Sequence, residues 1–177
     1  MRKPFKVIKL SIAHLATFIM LVLTCPAMGQ NDINSNLAWA KLPSILATIK
    51  EPVFKNKIYN ILDFGAKSGG SIDNTQVFVK AIQKCTQGGG GIVLVPSGKY
   101  FTGPIHLDNN VDLHLAEGAE ILFNTDPSVY TIVHTSFEGT ELMNYSPLIY
   151  GYKKHNVAET GKGTLNGQGS NEQWYAI

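Results

Sequence analysis

The clearest pattern in the chain is a series of short segments in which apolar and polar residues alternate. In segment 111–115, Val111, Leu113 and Leu115 alternate with Asp112 and His114, which predicts a strand with one buried and one solvent-facing side. Similar short segments are predicted as strands at 92–95, 100–102, 105–107, 120–123, 148–150, 157–160 and 164–166. Strands this short favour a parallel β-solenoid, with roughly 20 to 25 residues per turn, over a sandwich.

A different period precedes these strands and predicts one amphipathic helix. Segment 59–64 is predicted as a strand, and a loop rich in Gly and Ser follows it. Asp73 is predicted to open the helix as its N-cap, with Gln76 completing a capping box, and the glycines at 88–91 are predicted to end it. The predicted buried face has helical spacing and consists of Val77, Phe78, Ala81, Ile82 and Cys85.

The first 57 residues are predicted to precede the solenoid. Residues 1–29 have the pattern of a secretory signal: a basic start, an apolar run of about 14 residues and Ala27-Met28-Gly29 before the cleavage site. That run is shorter than the roughly 20 residues of a membrane-spanning helix. A lipoprotein anchored through Cys25 is a minor alternative to a secreted or periplasmic protein. Residues 30–57 are predicted as a leader segment whose short helix covers one end of the solenoid, or else as a disordered spacer.

The charge distribution narrows the candidate partners. Arg2, Lys3, Lys6 and Lys9 lie in the predicted signal, and without them 11 basic residues face 13 acidic ones. Arg2 is the only arginine, so the rest of the chain has no guanidinium to grip phosphate or carboxylate in a bidentate way. We therefore expect no nucleic-acid partner, and no membrane contact after signal cleavage. Cys85 would then be the single thiol, so no internal disulfide is expected.

Several stretches resemble bacterial polygalacturonases of glycoside hydrolase family 28 in order and spacing. They are YNILDFGAK, DNTQVFVKAIQKC, GGGGIVLVPSGKYFTGPIHL, NVDLHLAEGAEILF, EGTELMNYSPLIYGY and GKGTLNGQG. The resemblance runs from about residue 39 to the last residue and corresponds to the N-terminal portion of that family. DFGAK and the glycine run occur in a broader set of β-helix enzymes, whereas MNYSPLIY followed by GKGTLNGQG is more specific.

The resemblance implies both a fold and an activity. The fold is all-β, a right-handed single-stranded parallel β-helix with an N-terminal capping helix, and 58–177 would supply its N-terminal coils, truncated at the C-terminus. The activity is hydrolysis of α-1,4-galacturonosyl bonds in pectin with inversion, by aspartates acting as general acid and base. Family members carry these aspartates, and an Arg-x-Lys clamp, downstream of the GKGTLNGQG region. We therefore expect no catalytic residue in this chain, no cofactor and no metal, with the polysaccharide pectin as partner.

Few residues of this chain remain as candidates for a site. Asn124-Thr125-Asp126 matches one family motif, but it precedes MNYSPLIY and runs into Pro127, so we interpret it as a turn. Segment 126–147 is predicted as one long functional loop, and Tyr145 within it is a weak candidate for substrate binding. The alternative is that Tyr145 and Met143 only pack the loop down.

The histidines and the paired glutamates of the loop give no strong site. His106, His114, His134 and His155 lack metal-ligand spacing, which predicts no metal site. Glu138 and the glutamate three residues later are interpreted as a solvated pair.

Two other functions stay open at this point. One is a non-catalytic carbohydrate-binding β-helix, which a longer reading frame carrying the aspartate motifs would exclude. The other is a rhamnogalacturonase or an epimerase-like lyase on the same fold. A lyase needs a Lys or Arg base and often an acidic calcium cluster, and the chain after the predicted signal has no arginine and no such cluster.

Overall fold

The computed structural model describes residues 39–172, in two compact units that are treated separately, Met1–Lys50 and Glu51–Ile177. In the first unit, helix α1 spans Leu42–Thr48 and carries Pro43 in its first turn, where a missing N–H breaks no helical hydrogen bond. It matches the short helix expected in the leader segment, whereas its covering role stays a prediction. The predicted signal (1–29), with Cys25, and the start of the leader (30–38) lie outside the described residues. Between residues 39 and 172, neither helix is long and apolar enough to cross a membrane.

Short strands make up most of the described part of the second unit. In chain order they are β1 (Ile58–Asn60), β2 (Gly91–Val95), β3 (Gly98–Thr102), β4 (Ile105–His106), β5 (Val111–Leu115), β6 (Ala119–Phe123), β7 (Ile132–Phe137), β8 (Thr140–Tyr145), β9 (Ile149–Tyr150), β10 (Ala158–Gly161) and β11 (Thr164–Asn166). Helix α2 spans Thr75–Gln87, between β1 and β2.

The strands other than β7 and β8 form three parallel sheets. Sheet A has the order β1-β2-β5-β10, sheet B has β11-β6-β3 and sheet C pairs β4 with β9. From β2 onward the chain visits A, B and C in the same order in each turn and then returns beside the strand it left. This winding is that of a parallel β-helix, so the predicted fold is confirmed.

The strand register gives the length of each turn. Gly91 pairs with Val111, 20 positions later, and Gly98 pairs with Ala119, 21 positions later. These spacings agree with the predicted period. In the following turn Asp112 pairs with Ala158, 46 positions later, because an inserted segment separates β6 from β9.

Inward-facing apolar side chains stack from one turn to the next and form the core. Val93 lies beside Leu113 in sheet A, and Tyr100 lies beside Ile121 in sheet B. All four side chains are essentially inaccessible to solvent. Burial of a side chain of this size contributes about 1.5–3 kcal/mol, so the stacked pairs are the main source of stability.

Helix α2 packs its predicted face on this core. Phe78, Ala81, Ile82 and Cys85 are buried, while Val77 is only partly buried. Burial raises the pKa of the Cys85 thiol to about 11, which keeps it protonated and unreactive at neutral pH.

The start of α2 differs from the prediction by one residue. The N-cap is Asn74, although the Asp73 carboxylate does accept the N–H of Thr75 at 2.8 Å. Asn74 is only 1% exposed, and its amide accepts from the Lys67 N–H and donates to the carbonyls of Lys67, Ile72 and Phe101. This side chain ties the 67–73 loop to sheet B, a role that capping rules did not indicate.

Two secondary-structure predictions are wrong. The strand expected at 59–64 ends at Asn60, whose side chain accepts the N–H of Leu62 and opens a 3₁₀ helix, Ile61–Phe64. The long loop expected at 126–147 is a 3₁₀ helix, Pro127–Val129, followed by the antiparallel hairpin β7–β8. Glu138 and Gly139 form its two-residue turn, both with positive φ, as type I′ geometry requires.

Candidate functional site

A cavity of about 490 Å³ lies at the base of the hairpin and is lined by polar, aromatic and apolar residues. It lies where the chain leaves sheet B after β6 and enters sheet C at β9. The lining residues come from three short segments and are Asn124, Thr125, Pro127, Tyr130, Tyr145, Ser146, Pro147, Leu148 and Gly167. Its volume falls in the range typical of small-molecule sites, and its walls combine apolar surface with a few polar groups.

One wall is a chain of local hydrogen bonds that begins at Asn124. The Asn124 side chain accepts the N–H of Asp126 at 2.9 Å, and the Asp126 carboxylate accepts the N–H of Ser128 at 2.9 Å. The Tyr130 hydroxyl then donates back to the Asn124 carbonyl. Hydrogen bonds from Ser128 lower the pKa of Asp126, so this carboxyl stays ionised as the cap of the 3₁₀ helix. Asn124-Thr125-Asp126 is thus held as a turn, as the sequence interpretation expects.

The opposite wall is held by the pair of His106 and Ser146. The Ser146 N–H donates to the Thr131 carbonyl at 2.8 Å, which closes the hairpin base. Its buried hydroxyl donates to the Pro147 carbonyl at 2.9 Å and lies 3.0 Å from His106 Nε2. The Ser146 hydroxyl donates its single hydrogen to the Pro147 carbonyl. We therefore assign the hydrogen shared between Ser146 and His106 to Nε2 of the histidine. Partial desolvation lowers the pKa of His106, although the residue is still exposed to solvent in part, and this favours the neutral ring.

Tyr145 is at the last position of β8, opposite Ile132, and lines the cavity. Its side chain is 54% exposed, and that of Met143 is 62% exposed. Both side chains are mostly in contact with solvent in the described part of the chain. Tyr145 is therefore placed where a ligand in the cavity would contact its ring, although a role in substrate binding stays a prediction.

The hairpin itself is fixed to the coil on its other side. The Tyr150 hydroxyl donates to the His134 carbonyl at 2.8 Å, and the ring of Tyr152 packs on that of His134 with centroids 4.8 Å apart. Glu141 lies 3.6 Å from the His134 ring. These contacts orient the hairpin so that Tyr145 stays at the cavity.

A second polar group lies on the outer face of sheet A, away from the cavity. Thr160 donates to the Asp112 carboxylate at 2.9 Å and receives a hydrogen bond from His114 Nδ1 at 2.7 Å. Every member of the group is thereby satisfied, so it joins β5 to β10 and needs no ligand. Among residues 39–172, no three His, Cys, Asp or Glu side chains are close enough together to hold a metal ion.

Sequence reasoning selected Tyr145 and missed most of the other lining residues. Tyr130 and Ser146 carry no recognisable motif, and the pairing of β7 with β8 brings the ends of segments 124–130 and 145–148 together. One signal was present: Glu138-Gly139 places a glycine at the second position of a two-residue hairpin turn. Recognising that hairpin would have placed Tyr145 and Ser146 at its base.

The coil geometry and a cavity at a sheet-to-sheet junction define the class of the protein, a pectate-lyase-like parallel β-helix. The family model described as "Rhamnogalacturonase A/epimerase, pectate lyase-like" matches residues 58–157, and the chain belongs to this family.

Individual relatives agree with this membership. The crystal structure of an exopolygalacturonase from Thermotoga maritima superimposes with a TM-score of 0.75 and 44% identity, over 78% of this chain and 31% of that one. An exo-poly-α-D-galacturonosidase of Dickeya chrysanthemi is 28% identical over 64% of this chain and 20% of its own length. A probable polygalacturonase of Vitis vinifera is 29% identical over 62% and 24%, respectively. The chain thus spans about a quarter or less of the length of these two curated relatives.

Proposed function

We propose that this chain is the N-terminal part of a secreted or periplasmic glycoside hydrolase that cleaves α-1,4-galacturonosyl bonds in pectin. The observation that carries the proposal is the similarity to the Thermotoga maritima exopolygalacturonase, at 44% identity over most of the chain. The names of the Dickeya and Vitis relatives support the same activity. The pattern of residues 1–29 supports export.

In this proposal the chain binds polysaccharide and the catalytic groups lie elsewhere in the longer protein. An inverting glycosidase needs one carboxylic acid, one carboxylate and a water between them, with the carboxyl groups about 6.5–9.5 Å apart. Asp126 is occupied as a helix cap beside the cavity, and no carboxyl group belongs to the lining among the described residues. In this proposal the coils form part of the scaffold of the longer protein, and the cavity beside Tyr145 contacts the sugar chain.

The test compares the longer protein with residues 1–177 alone. We expect the longer protein to release reducing ends from polygalacturonate and residues 1–177 to release none. Asp126→Asn in the longer protein keeps the capping oxygen, so hydrolysis should be retained at about half the wild-type rate or more. Loss of hydrolysis in Asp126→Asn would show that this carboxyl is catalytic. Absence of hydrolysis by the unmodified longer protein would contradict the proposal.

A second candidate, a rhamnogalacturonase or an epimerase-like lyase, is favoured by one observation. The matching family model is named for rhamnogalacturonase A and epimerase. The product separates these chemistries, because a lyase leaves an unsaturated sugar at the new non-reducing end and a hydrolase does not. A non-catalytic binding β-helix would retain the polysaccharide and form no product at all.

A further inference from the structure

The cavity beside the hairpin has a lining that is uncharged throughout its described residues. The lining includes Leu148, two prolines and the aromatic residues Tyr130 and Tyr145. The polar side chains of the lining are neutral: the amide of Asn124 and the hydroxyls of Thr125, Tyr130, Tyr145 and Ser146. No lysine, arginine or histidine belongs to the described lining, although the proposed substrate class is rich in carboxylates.

The charged side chain adjacent in sequence to this lining is negative. Asp126 lies between the lining residues Thr125 and Pro127, and the hydrogen bonds from Ser128 keep it ionised. A free uronate in the cavity would give up water and find no counter-charge in the described lining. The exposed Asp126 carboxylate lies outside the lining and adds a repulsion that salt screens. Both effects act against an anionic sugar.

The same lining suits an uncharged sugar. The Asn124 side chain uses its oxygen on the N–H of Asp126, which leaves its NH₂ group to donate to a sugar hydroxyl. Thr125 and Tyr145 add hydroxyl groups at the wall. Leu148 and the prolines present apolar surface against which a methyl group gains free energy on burial.

We propose that this cavity takes an uncharged pyranose unit carrying a methyl group and discriminates against a free galacturonate. The inference rests on the proposed function for the class of polymer, and it adds which units of that polymer the cavity accepts. Two sources have this chemistry: a methyl-esterified galacturonate and a 6-deoxyhexose within the backbone.

Calorimetric titration of the full 177-residue chain tests the proposal with three probes. They are methyl-esterified trigalacturonate, unesterified trigalacturonate and a tetrasaccharide that alternates galacturonate with rhamnose. We expect at least one methyl-bearing probe to bind about tenfold or more tighter than unesterified trigalacturonate, and the order of the two identifies the source. Equal binding, tighter binding of the unesterified probe or no binding of any probe would overturn the proposal.

Two variants and one control test whether the cavity causes the difference in affinity between the probes. Asp126→Asn keeps the cap on Ser128 but removes the negative charge, so affinity for the unesterified probe should rise by about threefold at low salt. Pro147→Lys adds an ammonium group to an exposed wall position and should narrow or reverse the preference. Val53→Lys is the matched control, since it adds the same charge at a side chain that is 81% exposed and outside the lining. An equal change in Val53→Lys and Pro147→Lys would contradict the assignment to the cavity.

The result of the binding experiment can be distinguished from the result of the hydrolysis experiment that tests the proposed function. Selectivity is measured as binding by this chain, whereas hydrolysis is measured as reducing ends released by the longer protein. A chain that prefers the unesterified probe overturns the cavity inference and leaves the hydrolase proposal intact. A longer protein without hydrolysis contradicts the hydrolase proposal whatever the cavity binds.

Discussion

The regular coil and the inserted hairpin are both built from strands, yet they are stabilised in different ways. In the coil, β2 and β5 bury side chains against the strands of the other sheets, and residues such as Val93 and Leu113 are completely enclosed. In the hairpin, both strands expose most side chains, including Phe137 at 64%. Positions in the coil are therefore constrained by packing. The hairpin is free to vary and is the part that borders the cavity.

Two glycines with positive φ give the largest expected contrast between these regions. Gly161, at the end of β10, has a φ of +101°, and a Cβ there would collide with the Leu115 carbonyl oxygen. Gly139, in the hairpin turn, has a φ of +83° and open space around it. We expect Gly161→Ala to lower the free energy of unfolding by about 4 kcal/mol and Gly139→Ala by about 1 kcal/mol. Urea denaturation measures both values, and an equal loss of unfolding free energy in the two variants would contradict the difference between coil and hairpin.

A core truncation and a hairpin truncation should differ nearly as much. Leu113→Ala leaves a cavity between neighbouring turns of the coil and should cost about 3 kcal/mol. Met143→Ala removes a side chain that is already largely in water and should stay within about 0.5 kcal/mol of wild type. Thermal and urea unfolding of both variants provide the measurement. A loss above 1 kcal/mol in Met143→Ala would mean that the hairpin face is covered by another part of the protein.

Lowering the pH should change the free energy of unfolding by a smaller amount, through His106 at the junction of the coil and the hairpin. Burial lowers the pKa of His106, whereas in the unfolded chain this side chain titrates near pH 6.5. Below that pH the unfolded state binds a proton that the folded state does not, so the free energy of unfolding falls as pH drops. The decrease should stop below the folded-state pKa and stay under about 1 kcal/mol, because the ring is partly solvated. His106→Gln should remove this component from the pH profile, and an unchanged profile would exclude it.

The difference in burial between the coil and the hairpin explains which of their features could be predicted from the sequence. The alternation at 111–115 located β5, and β5 and its neighbours were predicted to within a residue or two. The expected solvent-facing side of β5 was wrong at Asp112, which is buried and accepts a hydrogen bond from Thr160 of the next turn. Pairing partners in a coil follow from a constant period. The hairpin has no buried face and hence no clear alternation, and its one signal was the turn at Glu138-Gly139.

The cavity was less predictable for a related reason. Tyr130 and Ser146 become neighbours because the hairpin pairs Ile132 with Tyr145 at its base, where a loop was expected from the sequence. Tyr145 was selected from a family resemblance and its aromatic ring, and periodicity did not indicate it. Asn74 was missed because its hydrogen bonds reach three backbone segments, which no local capping rule describes.

The most direct test of the account is whether the cavity, and no other part of the hairpin, binds the polysaccharide. Tyr145 and Phe137 are aromatic residues of similar exposure on the same hairpin, and only Tyr145 lines the cavity. Affinity electrophoresis of Tyr145→Ala and Phe137→Ala in gels containing partly methyl-esterified pectin measures both against wild type. We predict that Tyr145→Ala weakens binding by about tenfold, as expected when a buried aromatic contact is lost, and that Phe137→Ala binds as wild type. Equal retardation of the two variants would contradict the account.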